Sequence, residues 1–448
     1  MRKIGLISLG CPKNLVDSEL MLGQFRQAGD QITADPQQAD ILIVNTCGFI
    51  GDAERESRQA IDEMARLKAR HPGRKLVVTG CLAQRYGDQL VQQYPEIDLL
   101  LGSGQYDRVI PLVAQHETGA SCQVERDDPG YLPVGATSGR LLTTPAHLAY
   151  VKIAEGCNNP CSFCIIPQLR GPFRSRSVDD IVAEVQQLSA GGVREIMLVS
   201  QDTTLYGRDL TPRTDLATLL EQLASRTEVC WIRLLYLYPT LITERLLRTM
   251  AALPNVVPYL DMPLQHAHSD TLQRMRRTER SDTIQRLLER IDQHLPQATL
   301  RTTLITGFPG ESEREFAALE QLIRQERFDH VGVFVYSDEP EAASSALPDK
   351  IPPKLAAKRR DRLMTLQQQV SRRKLARWRQ QQTTVMIDGR SRQQPQLWIG
   401  RTAGQGYEMD GVVLIAHRAQ QPLVAGQLAQ VTITGSKDYD LTATVATV

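Results

Sequence analysis

The chain has 448 residues, and its 52 basic residues almost balance its 51 acidic residues, for a net charge of +1. This balance excludes a protein whose whole surface coats nucleic acid, so any charged surface must be local. No segment approaches the roughly 18 consecutive apolar residues of a membrane-spanning helix. The apolar run near the N-terminus ends after Leu9 in Gly-Cys-Pro, too early for a secretion signal. We therefore expect a cytoplasmic protein of two or three domains without a membrane partner.

Residues 1–118 alternate β-type and helical patterns, which predicts an open parallel α/β sheet. The β-type runs cover 3–9, 41–45 and 75–79, and the amphipathic stretches cover 15–28 and 54–68. The next segment, 119–142, contains several prolines and glycines and shows no hydrophobic periodicity, which is typical of a linker. We expect it to separate a first α/β domain from the rest of the chain.

A second alternating region, 143–380, predicts a partial (β/α) barrel. Its β-type runs cover 147–154, 195–200, 230–237, 256–261, 300–305 and 330–336, with helical patterns at 178–190, 216–225, 242–252, 283–294 and 313–324. A complete barrel needs eight strand-helix units, so six units predict an open one.

This region ends in a predicted basic helix, 354–379, whose only acidic residue is Asp361. Its basic residues are Lys354, Lys358, Arg359, Arg360, Arg362, Arg372, Arg373, Lys374, Arg377 and Arg379. Such a helix is a candidate for contact with RNA phosphates. The alternative is a solvated surface, because Leu363, Leu366 and Val370 form an apolar stripe that would pack on the barrel.

Residues 383–448 contain short β-type runs separated by glycine and proline, which predicts a small closed all-β barrel. The runs cover 384–387, 411–415, 429–434 and 441–445.

The strongest chemical signal is three cysteines with CxxxCxxC spacing after the first strand of the predicted (β/α) barrel: Cys157, Cys161 and Cys164. Three thiolates from one loop can ligate a 4Fe-4S cluster and leave its fourth iron open to a small molecule. A structural zinc ion is the alternative, but it needs a fourth ligand. No His or Cys follows within several residues, and the carboxyl end of a barrel strand favours an active site.

This spacing resembles that of the radical S-adenosylmethionine (SAM) superfamily, whose fold is a complete or partial (β/α) barrel. The resemblance implies that the open iron binds SAM, which one electron then cleaves to give a 5′-deoxyadenosyl radical. It also implies that Phe163 lies beside the adenine, the alternative being ordinary core packing. Gln201, Asp202 and Arg301 lie at or beside predicted strand ends and are candidate cofactor-binding residues.

Three further cysteines, Cys11, Cys47 and Cys81, each follow a β-type run of the first domain. Because the carboxyl ends of neighbouring parallel strands meet in one crevice, these thiols can hold a second cluster there. A glycine beside each cysteine would allow the backbone to approach a cluster closely. The alternative is three unrelated buried thiols.

The two cysteine triads together resemble the methylthiotransferases, radical enzymes with an extra cluster in an N-terminal domain and a small C-terminal β-barrel called TRAM. The resemblance covers essentially the whole chain and is closest to the branch that modifies an aspartate of the twelfth small-subunit ribosomal protein. The motifs are Gly10-Cys-Pro-Lys-Asn-Leu-Val-Asp-Ser-Glu19, Cys164-Ile-Ile-Pro-Gln-Leu-Arg-Gly171, Ser200-Gln-Asp-Thr-Thr-Leu-Tyr-Gly207, Tyr259-Leu-Asp-Met-Pro-Leu-Gln-His266 and Gly307-Phe-Pro-Gly-Glu311.

The resemblance implies a methylthiotransferase domain with an auxiliary cluster at 1–118, a radical SAM core at 143–380 and a TRAM barrel at 383–448. The implied cofactors are two 4Fe-4S clusters and SAM. The implied reaction replaces a hydrogen on the aspartate β-carbon by sulfur from the auxiliary cluster, which a second SAM methylates. The implied partners are the ribosomal protein on its subunit, ribosomal RNA at the basic helix, an electron donor and a sulfur donor.

Two other functions stay open from sequence. The same chemistry could act on an adenosine of tRNA, or the chain could carry iron-sulfur clusters without catalysis.

Overall fold

The computed structural model describes residues 1–116, 121–127, 129–133, 139–417 and 423–445. Parts of the predicted linker, at 119–120, 128 and 134–138, and the last residues of the predicted TRAM barrel, 446–448, lie outside the described residues. No helix in the described part of the chain combines the length and the apolar character needed to cross a membrane.

The N-terminal part is an open sheet of six parallel strands, in the order β2-β1-β3-β4-β5-β6. The strands are β1 (Lys3–Ser8), β2 (Gln31–Thr33), β3 (Ile41–Thr46), β4 (Lys75–Gly80), β5 (Leu99–Leu101) and β6 (Gln123–Glu125). The helices are α1 (Pro12–Gln27), α2 (Gly51–Arg70), α3 (Cys81–Gln93) and α4 (Val109–Gln115). The predicted open parallel sheet is confirmed.

Strand β6 lies inside the segment that we predicted as a linker, so the first sheet extends beyond residue 118. Its three residues are only half buried at the sheet edge, and so short a strand shows no alternation that sequence could reveal.

The central part is a second sheet of six parallel strands, in the order β14-β13-β12-β11-β10-β7. They are β7 (Leu148–Lys152), β10 (Glu195–Val199), β11 (Trp231–Leu234), β12 (Val256–Asp261), β13 (Thr299–Thr306) and β14 (His330–Val335), with a small antiparallel pair, β8 (Ala154–Glu155) and β9 (Arg174–Ser175). The helices are α5 (Ile166–Arg170), α6 (Val178–Ala190), α7 (Leu216–Arg226), α8 (Glu244–Ala252), α9 (Ser269–Arg274), α10 (Ser281–His294) and α11 (Glu313–Arg324). Six strands in chain order with an open side confirm the predicted partial barrel.

The inner face of this open barrel is covered by the other two parts of the chain. Tyr150 of β7, Met197 of β10 and Tyr259 of β12 point inward and pack with Val16 of α1 and Met386 of the C-terminal barrel. The alternate strand residues pack outward against the barrel helices in the largest apolar core.

The C-terminal part is a closed barrel of five strands, in the order β15-β16-β17-β19-β18, with β18 pairing back to β15. The strands are β15 (Gln382–Arg390), β16 (Leu397–Thr402), β17 (Val413–Ala416), β18 (Leu428–Ser436) and β19 (Leu441–Val445). The predicted all-β barrel is confirmed, but β16 is missing from the predicted runs. Its buried Arg401, paired with Asp388 and Glu195, breaks the apolar alternation that would have marked a strand.

Helix α12 (Pro353–Ala376) is the predicted basic helix, and it joins the two barrels. Leu363, Leu366 and Val370 enter the outer core of the (β/α) barrel, and Leu375 packs on the core of the C-terminal barrel. The predicted packing of the apolar stripe is therefore confirmed.

Candidate functional site

The CxxxCxxC loop leaves strand β8 and folds back on itself at Gly156. Gly156 has φ +80°, and a Cβ there would lie 2.0 Å from the Pro172 carbonyl oxygen, so this position requires glycine. Directly after it, the Cys157 N–H donates to the Gly171 carbonyl at 3.1 Å. The turn therefore holds the first thiol of the loop beside the end of α5.

Each thiol of this loop has a donor aimed at its sulfur. The Asn159 N–H lies 3.4 Å from the Cys157 Sγ, the Ile166 N–H lies 3.4 Å from the Cys164 Sγ, and an Arg277 Nη lies 3.9 Å from the Cys161 Sγ. Such donors are the usual surroundings of sulfur in iron-sulfur sites, where they tune the reduction potential.

Burial raises the pKa of all three thiols in the loop, to about 11 for Cys157 and about 12 for Cys164. Neighbouring thiolates raise the pKa of Cys157 and Cys164 further, because like charges repel, whereas Arg277 opposes the shift at Cys161. Buried thiols of this kind lose their protons when a positively charged metal group binds, which fits a ligand set.

The number of thiols in each triad favours a cluster over a structural zinc ion. Tetrahedral zinc binds sulfur at about 2.3 Å, which places its ligand sulfurs about 4 Å apart. Across the described residues, neither cysteine triad brings its three Sγ atoms within 4.8 Å of one another. Each triad supplies three thiolates, one fewer than the four ligands of a structural zinc site, so the donor sets fit an iron-sulfur cluster better than they fit zinc.

The second triad lies at the carboxyl ends of three neighbouring strands. Cys11 follows β1 and precedes α1, Cys47 follows β3, and Cys81 follows β4 as the first residue of α3. At Gly10, with φ +90°, a Cβ would lie 2.7 Å from the Cys47 Cβ. Sequence had placed these thiols in one crevice, and the sheet order brings them together there.

Asn14 of α1 fixes the two loops that carry the first two of these thiols. Its amide nitrogen donates to the Leu9 carbonyl at 3.0 Å and to the Thr46 carbonyl at 2.9 Å. These carbonyls directly precede the Gly10-Cys11 turn and Cys47, so one amide holds both chain segments in register.

Arg170 joins the two triads. This fully buried side chain belongs to α5, which follows the CxxxCxxC loop, yet its Nε lies 3.4 Å from the Cys81 Sγ and an Nη donates to the Asn14 side-chain oxygen. The guanidinium also pairs with Asp17 at 2.8 Å and Glu155 at 3.4 Å. Burial raises the pKa of Cys81, and the nearby guanidinium opposes that shift.

Two of the predicted cofactor residues lie against the CxxxCxxC loop. Gln201 donates from Nε2 to Glu155 at 2.6 Å, just before the loop, and Asp202 accepts from the Asn159 side chain at 2.7 Å. Burial raises the pKa of Asp202, although hydrogen bonds from Thr204 and Asn159 oppose the shift. Phe163 lies half buried within the loop itself.

The fourth predicted cofactor residue, Arg301, is placed apart from these. It pairs with Asp261 at 2.8 Å and with Asp410 of the C-terminal barrel at 3.5 Å. Its charge is thus shared between two buried carboxylates.

Sequence reasoning assigned no role to Lys13 and Tyr236. Tyr236 follows β11, has φ +60°, and is held by its N–H donating to Asp261 at 3.0 Å. The Lys13 ammonium lies 3.5 Å from the centre of the Tyr236 ring. Lys13 belongs to the Gly10–Glu19 motif and Tyr236 lies near a predicted strand end, so sequence could have singled out each residue. Their contact with each other is visible only in the structure.

Three family models match the chain in sequence. Residues 3–102 match the Uncharacterized protein family UPF0004, residues 151–323 match the Radical SAM superfamily, and residues 381–446 match the TRAM domain.

Solved structures of radical SAM enzymes share the fold. The methyltransferase TsrM from Kitasatospora setae superposes with a TM-score of 0.52 at 14% identity, over 75% of each chain. The cobalamin-dependent radical enzyme OxsB gives a TM-score of 0.52 at 12% identity, over 73% of this chain and 52% of that chain. At these identities the likeness concerns the fold alone.

Curated relatives cover almost the whole chain. The ribosomal protein uS12 methylthiotransferase RimO of Koribacter versatilis is 42% identical over 99% of this chain and 96% of its own length. The protein of the same name from Sorangium cellulosum is 45% identical over 98% of this chain and 90% of its own length. Because full-length relatives at 42% and 45% identity carry this name, the chain belongs to the RimO family of radical SAM methylthiotransferases.

Proposed function

We propose that this chain transfers a methylthio group to the β-carbon of an aspartate in uS12, the twelfth protein of the small ribosomal subunit. Full-length similarity to RimO proteins supports the substrate. The observation that carries the chemistry is the pair of cysteine triads, which lie at strand ends and are joined by the Arg170 side chain.

Membership in the radical SAM superfamily implies a 4Fe-4S cluster and SAM. We assign that cluster to Cys157, Cys161 and Cys164, and we infer a second 4Fe-4S cluster. Its ligands would be the thiols at the ends of β1, β3 and β4, namely Cys11, Cys47 and Cys81. When bound, these groups supply the radical that removes hydrogen from the substrate carbon, and the sulfur and methyl group that replace it.

The residues beside the CxxxCxxC loop would orient SAM. Gln201 Oε1 is buried and has no hydrogen-bond partner among the described residues, so it can accept from a hydroxyl or amine of the cofactor. Asp202 and Phe163 would contact the ribose and the adenine. We retain Arg301 as a candidate for a cofactor carboxylate, although its two carboxylate partners already use much of its charge.

We propose the same three domains as from sequence: an N-terminal domain with the auxiliary cluster, a radical SAM core and a C-terminal TRAM barrel. The TRAM match supports RNA contact by the C-terminal part. We further propose that the enzyme acts in the cytoplasm on the ribosomal subunit, touches ribosomal RNA through the basic helix, and uses separate electron and sulfur donors.

Substitution of one cysteine in each triad tests the proposal. In the reconstituted enzyme, Cys157→Ala should abolish SAM cleavage, because the radical-generating cluster is lost. Cys47→Ala should retain SAM cleavage and lose methylthiolation of uS12, because only the sulfur-handling site is lost. Cys230→Ala, a matched control outside both triads, should behave as wild type. Normal methylthiolation by Cys47→Ala would contradict the two-cluster assignment.

A competition assay separates uS12 from tRNA as substrate. Purified small subunits and tRNA are incubated together with the reconstituted enzyme, and each is then analysed by mass spectrometry. The proposal predicts a methylthio group on uS12 alone, and modification of the tRNA adenosine instead would overturn it. Absence of SAM cleavage would indicate a carrier of clusters.

A further inference from the structure

The buried ammonium of Lys13 is an unusual feature of the space between the two triads. Lys13 lies two residues after Cys11 in the first turn of α1, and only 8% of its surface is exposed. Its ammonium lies 3.5 Å from the Ser200 carbonyl, where β10 ends, and Gln201 and Asp202 follow directly. The charge therefore lies between the Cys11 side and the residues that abut the CxxxCxxC loop.

A comparison with the other buried lysine shows what Lys13 lacks. Among the described residues two lysines are buried, and Lys152 pairs with both Asp17 and Glu155. Lys13 has no carboxylate within ion-pair distance in the described part of the chain; its partners are one carbonyl and the Tyr236 ring. A buried ammonium without an anion is costly, and a ring face offsets only part of that cost.

The surroundings hold the ammonium in place. Tyr236 keeps a left-handed backbone, at φ +60°, because its N–H donates to Asp261 and its carbonyl accepts from Thr203. Strain of this kind persists where the surrounding structure enforces it, and it often marks functional sites. Arg301 pairs with Asp261, which also holds Tyr236, and with Asp410, so its charge is already matched and Lys13 is left to meet an incoming anion.

We propose that Lys13 binds the side-chain carboxylate of the substrate aspartate. This inference rests on the proposed function and deepens it, because it assigns the substrate subsite. The carboxylate is bonded directly to the β-carbon, so an ion pair with Lys13 holds the reacting carbon beside Cys11. A neutral nucleobase offers no such charge, and the same contact disfavours an adenosine substrate.

The test measures how tightly the reconstituted enzyme binds uS12 and a uS12 variant with asparagine at the target position. Wild type should bind the aspartate form about 10- to 100-fold more tightly, the range expected for one charged hydrogen bond. Lys13→Met, which removes the charge and keeps a long unbranched side chain, should bring this ratio close to one. Lys13→Arg should restore most of it, and Lys3→Met, at the end of β1 away from Cys11, should leave it unchanged.

Iron content and SAM affinity are measured on the same proteins, and both should stay at the wild-type level in Lys13→Met. An unchanged aspartate-to-asparagine ratio in Lys13→Met overturns the assignment of Lys13. A loss of SAM affinity or of iron with that ratio intact overturns it as well, because the lysine would then serve the cofactor. A wild-type enzyme that neither binds nor modifies uS12 overturns the proposed function itself.

Discussion

At the scale of single residues, Arg170 is the clearest case of a role that sequence could not reveal. The six triad cysteines are identifiable from spacing and from strand ends, because each signal is local. Arg170 contacts a sulfur 89 positions earlier in the chain, and only the packing of α5 against α3 brings the two together. Lys13 and Tyr236 meet across an even longer separation.

Removal of the Arg170 charge should weaken cluster binding at the second triad, Cys11, Cys47 and Cys81. The guanidinium balances thiolate charge at Cys81, and loss of such an outer contact typically lowers metal affinity by about 10- to 100-fold. We expect Arg170→Gln to retain less iron than wild type after a chelator challenge, with Arg170→Lys between them.

The matched control for this experiment is Arg176→Gln, which removes another buried arginine, one that pairs with Asp180 and Glu184. It should lower stability without selective loss of iron. Equal iron retention in wild type and Arg170→Gln would show that the Cys81 contact has no role in cluster binding.

Glu315, in the first turn of α11, should contribute a pH-dependent share of stability. Burial raises its pKa, but hydrogen bonds from Ser312 and Arg274 outweigh burial and lower it to about 2. A depressed pKa stabilises the folded chain above the ordinary value of about 4.5 and loses that effect as pH falls toward 2. Glu315→Gln should therefore lower the thermal midpoint at pH 7, and the difference from wild type should shrink below pH 4.5.

The control is Glu313→Gln in the same turn, because the Glu313 side chain is 75% exposed and its ion pair is screened by water. It should shift the midpoint little. A difference for Glu315→Gln that stays constant from pH 7 to pH 3 would contradict the assignment.

At the scale of elements, the strands of the (β/α) barrel were predictable because each contains a β-type run, buried on both faces in β7 and β10 and on one face in β13. Strands β10 and β12 start at the predicted residues, since buried runs bounded by helical patterns leave little ambiguity. β5 was missed because three residues give no pattern, and β16 because its buried Arg401 makes ion pairs with Asp388 and with Glu195 of β10 in place of apolar contacts. One missed strand is thus too short to show a pattern, and the other is buried by partners that are distant in sequence.

Helix α12 shows that a basic sequence need not make a basic surface. Of its cations, Arg359, Arg360, Arg362, Arg372, Arg373, Lys374 and Arg377 pair with carboxylates. Several of these pairs reach the neighbouring α11 or the C-terminal barrel, as Arg362 does with Glu320 and Arg372 with Asp438. Lys354, Lys358 and Arg379 are exposed and have no carboxylate partner among the described residues.

Contact with ribosomal RNA, if made by α12, should therefore depend on its three unpaired cations. Replacing Lys354, Lys358 and Arg379 with glutamine should weaken binding to small subunits. The slope of the logarithm of the binding constant against the logarithm of salt concentration should fall by the equivalent of up to about three phosphate contacts. Replacing Arg362, Arg372 and Arg373 with glutamine serves as the matched triple and should change the salt dependence less. Identical salt slopes for wild type and the first triple would contradict contact by this helix.

At the scale of the whole molecule, the N-terminal sheet is clamped to the last loop of the (β/α) barrel beside the Cys47 loop. The Arg85 side chain, 3% exposed, pairs with Glu339 at 2.8 Å and with Glu341, and donates to the Gly48 carbonyl at 2.9 Å. One arginine thus connects the segment after Cys47 to the segment after β14.

Loss of this contact should make the position of the two cysteine triads relative to each other less fixed, while each triad stays intact. We expect Arg85→Ala to retain SAM cleavage, to lower methylthiolation about tenfold through misplacement of the sulfur-handling site, and to speed hydrogen exchange at 47–51 and 337–341. Arg55→Ala, which removes an exposed pair with Asp52 on α2, should do none of these. Unchanged hydrogen exchange in Arg85→Ala would exclude a clamping role.

The contact between Arg170 and Cys81 also sets an order for maturation during synthesis. When the ribosome has made Cys81, the first three thiols exist without their balancing cation, which is added 89 residues later, on the order of ten seconds at typical elongation rates. Arg170 comes only six positions after Cys164, so a single short helix completes both sites. A cluster bound at Cys11, Cys47 and Cys81 would therefore gain this contact only after the CxxxCxxC loop has also been made.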